Sequence, residues 1–263
     1  MDTIIMSIDS EFRNKDIYPN SSNFAFEFEE CLLNITKVSL SSIEFPNTFY
    51  TFTEKRDNIS FTITTALNEV LKISLVEGSY TSDLLLNYIQ TAFEKLNTDG
   101  LTTQTFAIEF NEITSRVTIV SDNTFSLDFN NKTEYQCLGC HLGFTKKIYN
   151  GATSYTGEII LNIIGEQYVY LLINEWGDLK AANIKNTSAF AKILLTQQKT
   201  FIIYDDRSNF ITKEINFKIP EKIRKIRISL VDKYGNLIEM NQDFSLTLEF
   251  IKIYDNRLIK TLF

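Results

Sequence analysis

In the stretch FSLTLEF, residues 244–250, Phe244, Leu246, Leu248 and Phe250 alternate with Ser245, Thr247 and Glu249. Successive side chains of a strand point to opposite faces, so this period of two describes a ribbon with one dry and one wet side. The same alternation runs through Phe24, Phe26 and Phe28, through Ile59, Phe61 and Ile63, and through Leu71, Ile73 and Leu75. It returns in Phe106, Ile108 and Phe110, in Val117 and Ile119, and in Phe125, Leu127 and Phe129. Half-wet strands of this kind belong to antiparallel sheets. The segments between them, such as EFNEITSR, DNTF and DKYGN, are short and turn-like, which predicts hairpin pairing of neighbours.

One stretch departs from the period. In residues 79–100, SYTSDLLLNYIQTAFEKLNTDG, the apolar Leu84, Leu85, Tyr88, Ile89, Ala92, Phe93 and Leu96 recur at helical spacing. Thr81 or Ser82 can cap the start, Asp83 complements the helix dipole, and Asn97 to Gly100 provide the stop. The spacing predicts a helix over 81–97 and a second, shorter helical piece over SAFAKILLT, residues 188–196. Many strands with one substantial helix predict an all-β, mainly antiparallel sandwich carrying an insertion, not alternating β-α units.

No internal repeat is visible. Residues 130–157 form the longest stretch without alternation and gather four glycines, Gly139, Gly143, Gly151 and Gly157. The pattern leaves two organisations open. Residues 1–263 form one chain with a long loop at 131–157, or 131–157 divides an N-terminal β-unit, 1–130, from a C-terminal one, 158–263.

Hydrophobic residues make up 44% and charged residues 22% of the 263, enough apolar material for a buried core and too much for a disordered chain. The formal charge is −7, and the nearest basic cluster, KIPEKIRKIR at 218–227, is interleaved with apolar residues as a strand would be. Phosphate binding needs clustered Lys and Arg, so no direct nucleic-acid partner is expected. No run approaches the ~18 apolar residues of a membrane span. The opening MDTIIMSIDS has an acid at position 2 and no basic stretch, so no secretory signal is expected. Three cysteines, with Cys31 far from the other two, fit a compartment where thiols stay reduced.

Two of those cysteines and the single histidine fall together in CLGCH, residues 137–141, which matches the C-x-x-C-H pattern of covalent haem attachment. That chemistry wants a second axial ligand, and Met1, Met6 and Met240 lie far off in sequence. A zinc site wants four ligands, and the second half is missing. A redox C-x-x-C is usual at a helix start in a βαβ setting, which the pattern does not predict here. The expected reading is structural: Cys137, Leu138, Cys140, Leu142 and Phe144 pack beneath the sheet and His141 points outward. No haem, metal or other cofactor is expected.

Other constellations fail more simply. Any triad must use His141, and no nucleophile elbow or glycine-rich phosphate loop exists. The adjacent Asp205 and Asp206 read as a solvated turn, since adjacency does not set the separation carboxylate hydrolysis needs. Tyr50, Tyr155, Tyr168 and Tyr170 could stack on sugars, or pair across strands in an aromatic-rich sheet. No catalytic, cofactor-binding or metal residue is therefore assigned, and the expected class is a non-enzyme that works by contact.

The order of several motifs carries a resemblance. SIDSEFRNKDIYPNSSNFAFEFEE (7–30) contains D-S-x-x-R, then Y-P-N, then N-F; ITKVSLSSIEFPNTFY (35–50) ends S-x-E-x-P-N-T. VEGSYTSDLLLNYIQTAF (76–93), LGF (142–144), YLLINEWGD (170–178) and AKILL (191–195) follow. KIRKIRISLVDKYGNLIEMNQDFSLTLEF (222–250) supplies D-x-x-G-x and D-F-S-x-T-L-E. In that order they resemble the penton and minor capsid proteins of nucleocytoplasmic large DNA viruses, over about residues 5–250. The 137–141 cluster is not part of the resemblance.

The resemblance implies a jelly-roll β-sandwich with an inserted amphipathic helix and a second, smaller β-rich elaboration. It implies a structural protein of the virion, assembled in host cytoplasm, at a five-fold vertex or bracing the shell from within. Its partners would be copies of itself (a pentamer, for a vertex protein), the major capsid protein and other minor capsid proteins. The arm at 10–22 and the 130–157 region are expected to order against neighbours. The alternatives are a carbohydrate-binding β-sandwich of a viral attachment or spike module, and a hydrolase working with carboxylates alone.

Overall fold

The computed structural model describes residues 1–129, 137–177, 179–180, 188–196, 199, 201–205 and 213–253. In chain order its elements are β1 (Asp2–Asp9), β2 (Asn23–Pro46), β3 (Ser60–Thr65), β4 (Val70–Ser74), α1 (Ser82–Thr98), β5 (Phe106–Asn111) and β6 (Arg116–Asp128). There follow α2 (Leu138–Leu142), β7 (Ile148–Thr156), β8 (Tyr168–Ile173), β9 (Leu179–Lys180), β10 (Ser188–Ala189) and β11 (Ala191–Leu194). The last are β12 (Ile202–Asp205), β13 (Glu214–Val231) and β14 (Ser245–Lys252). The strand pairings are antiparallel, and the fold is an all-β, jelly-roll-like sandwich with a small helical content.

The chain divides into two compact units. Met1–Phe49 with Glu166–Phe263 make the first, and Tyr50–Gly165, inserted between those halves, make the second. The described residues of 131–157, open in the sequence between a loop and a boundary, lie inside the second unit.

In the first unit a seven-stranded sheet runs β1-β14-β2-β13-β8-β11, with β12 also on β2. Its organiser is β2, 24 residues long, too long for one flat strand of a small sandwich. Midway, Asn34 takes a left-handed backbone, φ 58°, which Asn tolerates better than other residues with a side chain. Opposite, the register of β13 shifts three times between Asn216 and Lys225. Irregularities of this kind bend a ribbon and increase its twist. The early arm of β2 pairs with β13 from Ile226↔Phe26 to Ser229↔Asn23, and the late arm pairs with β14 from Lys252↔Ile35 to Ser245↔Glu44.

The core lies between those arms. Phe24 meets Phe244 edge-on with ring centroids 6.0 Å apart, and Phe28 meets Phe250 at 5.8 Å. Ile35, Val38, Ile43, Phe45, Ile226, Ile228, Leu246 and Leu248 are buried with them. Each such side chain contributes roughly 1.5–3 kcal/mol on burial, with about 0.5–1.5 kcal/mol more for an edge-to-face aromatic pair.

Residues 188–196 form β10 and β11, not the expected short helix. Ala189, Phe190, Ala191 and Ile193 are all buried, and β11 pairs with β8 through Ala191↔Leu171 and Ile193↔Val169. A short apolar run fits both periods, and sheet pairing decided the outcome.

In the second unit β4-β3-β6-β5 form a sheet, with β7 also on β6. The expected helix is present: Thr81 Oγ1 accepts from the Leu84 N–H, and Leu85, Ile89, Phe93 and Leu96 are buried. Leu84, assigned to the stripe by its spacing, is instead exposed. The core closes into a loop of aromatic contacts, Phe61–Phe93–Phe106–Phe125–Tyr155–Tyr149–Phe144–Phe129 and back to Phe61. Centroid separations around it run from 5.0 to 6.5 Å. The stretch expected as an irregular loop supplies part of this, because β7 carries Tyr149 and Tyr155 and α2 lies against Phe129. A Cβ on Gly139 of α2 would stand 2.4 Å from the Phe129 ring, so only glycine allows that approach.

Candidate functional site

In the first unit the chain after β1 turns through a single 3-10 turn, Ser10–Phe12, started by Asp9, whose Oδ1 accepts from the Glu11 N–H at 2.8 Å. Ser10 makes two bonds with the Phe244 backbone: its N–H donates to Phe244 O at 2.9 Å, and its side-chain Oγ accepts from the Phe244 N–H at 2.9 Å. The same hydroxyl donates to Asp243 Oδ1 at 2.9 Å. Arg13 then gathers the arm. It pairs with Asp243 and donates to Ser10 O at 2.8 Å, Tyr18 O at 2.8 Å and Pro19 O at 3.0 Å. Asn20 Nδ2 donates to Ile238 O at 3.2 Å, and Ser21 Oγ to Gln242 O at 2.9 Å.

Two neighbouring motifs of the arm, D-S-x-x-R at 9–13 and Y-P-N at 18–20, thus become one construction with the distant D-F at 243–244. The arm expected to order on a neighbour is already fastened to its own chain. What it offers outward is apolar. Phe12 is 83% exposed and Ile17 is 64% exposed, and on the preceding strand Ile5 is 69% exposed. Among the described residues β1 pairs only with β14, so its outer edge presents strand hydrogen-bonding groups as well.

The other motif of the C-terminal segment is internal. Asp232 is buried and its Oδ1 accepts from the N–H groups of Tyr234 and Asn236 at 2.8 and 2.9 Å, closing the D-K-Y-G-N turn with Gly235 at φ 88°. That carboxylate holds a loop.

The 137–141 cluster lies in the second unit. Cys137 caps α2, its Sγ accepting from the Cys140 N–H at 3.3 Å, and the two sulfurs are 2.9 Å apart. The Cys140 thiol hydrogen bond, helped by the N–H groups of Cys140 and Gly139, outweighs burial and draws Cys137 down to about 7. The same hydrogen bond, with burial and the charge beside it, pushes Cys140 up. Both cysteines stand at the start of a helix, the placement the sequence pattern did not predict.

His141 does not simply point outward. Its Nδ1 donates to Asn162 O at 2.7 Å, leaving Nε2 to accept weakly from Asn58 Nδ2 at 3.5 Å, and its ring lies 4.8 Å from that of Phe52. Among the described residues no group of three or more His, Cys, Asp and Glu side chains is placed to hold a metal ion.

The remaining candidates disperse. Asp206 and the side chain of Asp205 lie outside the described residues. A groove of about 610 Å³ along α1 is lined by Lys72, Lys95, Tyr88 and Leu84, with Asp99 as its acid, which is not a carboxylate pair. Tyr155 belongs to the aromatic core and donates to Phe125 O at 2.9 Å. Tyr168 and Tyr170 pack edge-on at 5.3 Å, with the Lys192 ammonium 3.8 Å above the Tyr168 ring. Of the four tyrosines considered for sugar stacking, Tyr50 alone is broadly exposed.

No protein-family model and no curated protein matches the chain. Among solved structures it is similar to the mavirus penton protein, at 13% identity and a TM-score of 0.44, over 95% of this chain and 99% of that one.

Proposed function

We propose that this chain is a structural subunit of a large DNA virus capsid, a penton or minor capsid protein, which acts by self-association and contact and not by catalysis. The observation that carries the reading is the fastened arm. Among the residues of the motifs that carry the resemblance, Ser10, Arg13, Tyr18, Pro19 and Asp243 engage one another, Asn20 holds Ile238 O, and the framework they build holds Phe12 and Ile17 in solvent. A frame of this kind lowers the ordering entropy lost on docking, which is how a modest apolar patch becomes an effective contact. The antiparallel sandwich agrees with the reading, since it offers edges and broad faces.

Association follows heterologous contacts that close into a ring, five-membered for a vertex protein. The major capsid protein and other minor capsid proteins complete the partner set, and the virion is the location. The test is the mass of the purified protein by native mass spectrometry over a concentration series, together with proteomics of purified particles. A closed oligomer and presence in particles are expected. A monomer at every concentration, absent from particles, would remove the proposal. A glycan array that binds, and loses binding when Tyr50 is changed to Ala, would favour the attachment-module reading instead.

A further inference from the structure

The capsid reading leaves Cys137 and Cys140 unused, and the geometry around them is specific. Their sulfurs lie 2.9 Å apart, inside the separation of two thiols that merely pack. They bracket the first turn of α2, whose floor is the Phe129 ring beneath Gly139. Cys137 is 6% exposed, while Cys140 is part-exposed. Cys31, in the other unit, is a built-in reference: it is part-exposed, and its Sγ lies 3.5 Å from Ile223 O.

We propose that Cys137 and Cys140 are a redox dithiol, which a small disulfide closes into a Cys137–Cys140 bond and a small thiol reopens. The first bond forms at Cys140, the accessible sulfur, from the minor form of the singly deprotonated pair in which Cys137 holds the shared proton. The Cys140 sulfur attacks one sulfur of the small disulfide, whose S–S bond breaks and releases a thiolate that takes up a proton. Cys137, losing its proton to solvent, then attacks the Cys140 sulfur and expels the second small thiol. Dithiol plus small disulfide gives protein disulfide plus two small thiols, so atoms and electrons balance. The lowered position of Cys137 lets the reduced pair give up its first proton near neutral pH, and the 2.9 Å approach of the two sulfurs keeps the mixed intermediate short-lived. The closed bond replaces a weak sulfur cap on α2 with a covalent one, fastening the segment that covers Phe129. The inference concerns a modification site and stands independently of the capsid reading.

The experiment equilibrates the full-length protein in oxidised and reduced glutathione at neutral pH, quenches with acid, alkylates, and maps each cysteine by mass spectrometry. In wild type the 137–140 peptide is expected to lose two hydrogens and escape alkylation, at a glutathione ratio at least about tenfold more reducing than the one that modifies Cys31. In C137S, which keeps a good helix cap because Ser is itself a preferred N-cap residue, one glutathione is expected to accumulate on Cys140. The proposal is overturned by a wild-type pair that is alkylated whenever Cys31 is. It is equally overturned by a glutathione adduct that persists on the wild-type pair without resolving. Both readouts use chemistry at the sulfurs, and the wild-type arm needs no variant to fold.

Discussion

Arg13 and Asp243 pair across 230 residues of sequence, and the side chain of Arg13 is almost fully buried in doing so. The pair fixes where the chain leaves β1 and where it enters β14, and it sets the platform from which Phe12 projects.

Arg13→Ala is expected to lower stability by roughly 1–3 kcal/mol, since it removes the ion-pair partner of Asp243 and the side-chain donors to Tyr18 O and Pro19 O. Urea unfolding followed by tryptophan fluorescence measures it. A loss under about 0.5 kcal/mol would mean the arm is not held by this residue.

Phe12→Asp and Ile17→Asp separate folding from contact. Both side chains stand in water, so the unfolding midpoint should stay within about 0.5 kcal/mol of wild type. Self-association should weaken on the order of tenfold or more, as for central apolar contacts. Sedimentation velocity at several concentrations distinguishes the outcomes.

Gly139→Ala inserts a methyl into space the Phe129 ring already occupies. A cost of about 1–3 kcal/mol is expected, with loss of near-ultraviolet circular dichroism from the aromatic loop. An unchanged spectrum and midpoint would show that α2 can lift off without consequence.

Tyr149 donates to Glu158 Oε2 at 2.6 Å, and the Thr145 N–H donates to the same oxygen at 3.0 Å. Burial pushes Glu158 up, but these two donors outweigh it and hold the carboxyl below its usual range. A carboxylate depressed by folding adds stability that is complete above its unfolded value, near 4.5, and is lost as pH falls through the lower folded value. Tyr149→Phe should therefore be less stable than wild type at neutral pH, with the gap narrowing as pH drops below about 4.5. Thermal melts from pH 3 to 7 measure the gap, and a constant difference would refute the assignment.

The strands and α1 were legible because one-dimensional periodicity carries them: Phe244 to Phe250 and Leu85 to Leu96 have one reading each. Residues 188–196 were not, because a short apolar stretch satisfies both periods until β8 supplies a partner. The fastening of the arm was hidden for a different reason. Ser10, Arg13 and Asp243 are unremarkable polar residues locally, and only the pairing of β1 with β14 brings them together. The family resemblance marked those positions without explaining them. The helical placement of Cys137 and Cys140 was obscured by the four glycines of its neighbourhood, three of which prove to mark where backbone passes close: Gly139 over Phe129, Gly143, at φ 94°, against Ile159 O, and Gly157 against Gly143 O.

The bend at Asn34 has a consequence for fidelity of folding. Because β2 lines both halves of the slab, a misalignment of one residue along it would turn greasy side chains to water on two surfaces at the same time. Such an error is penalised twice, and a single ribbon thereby proofreads the whole host unit.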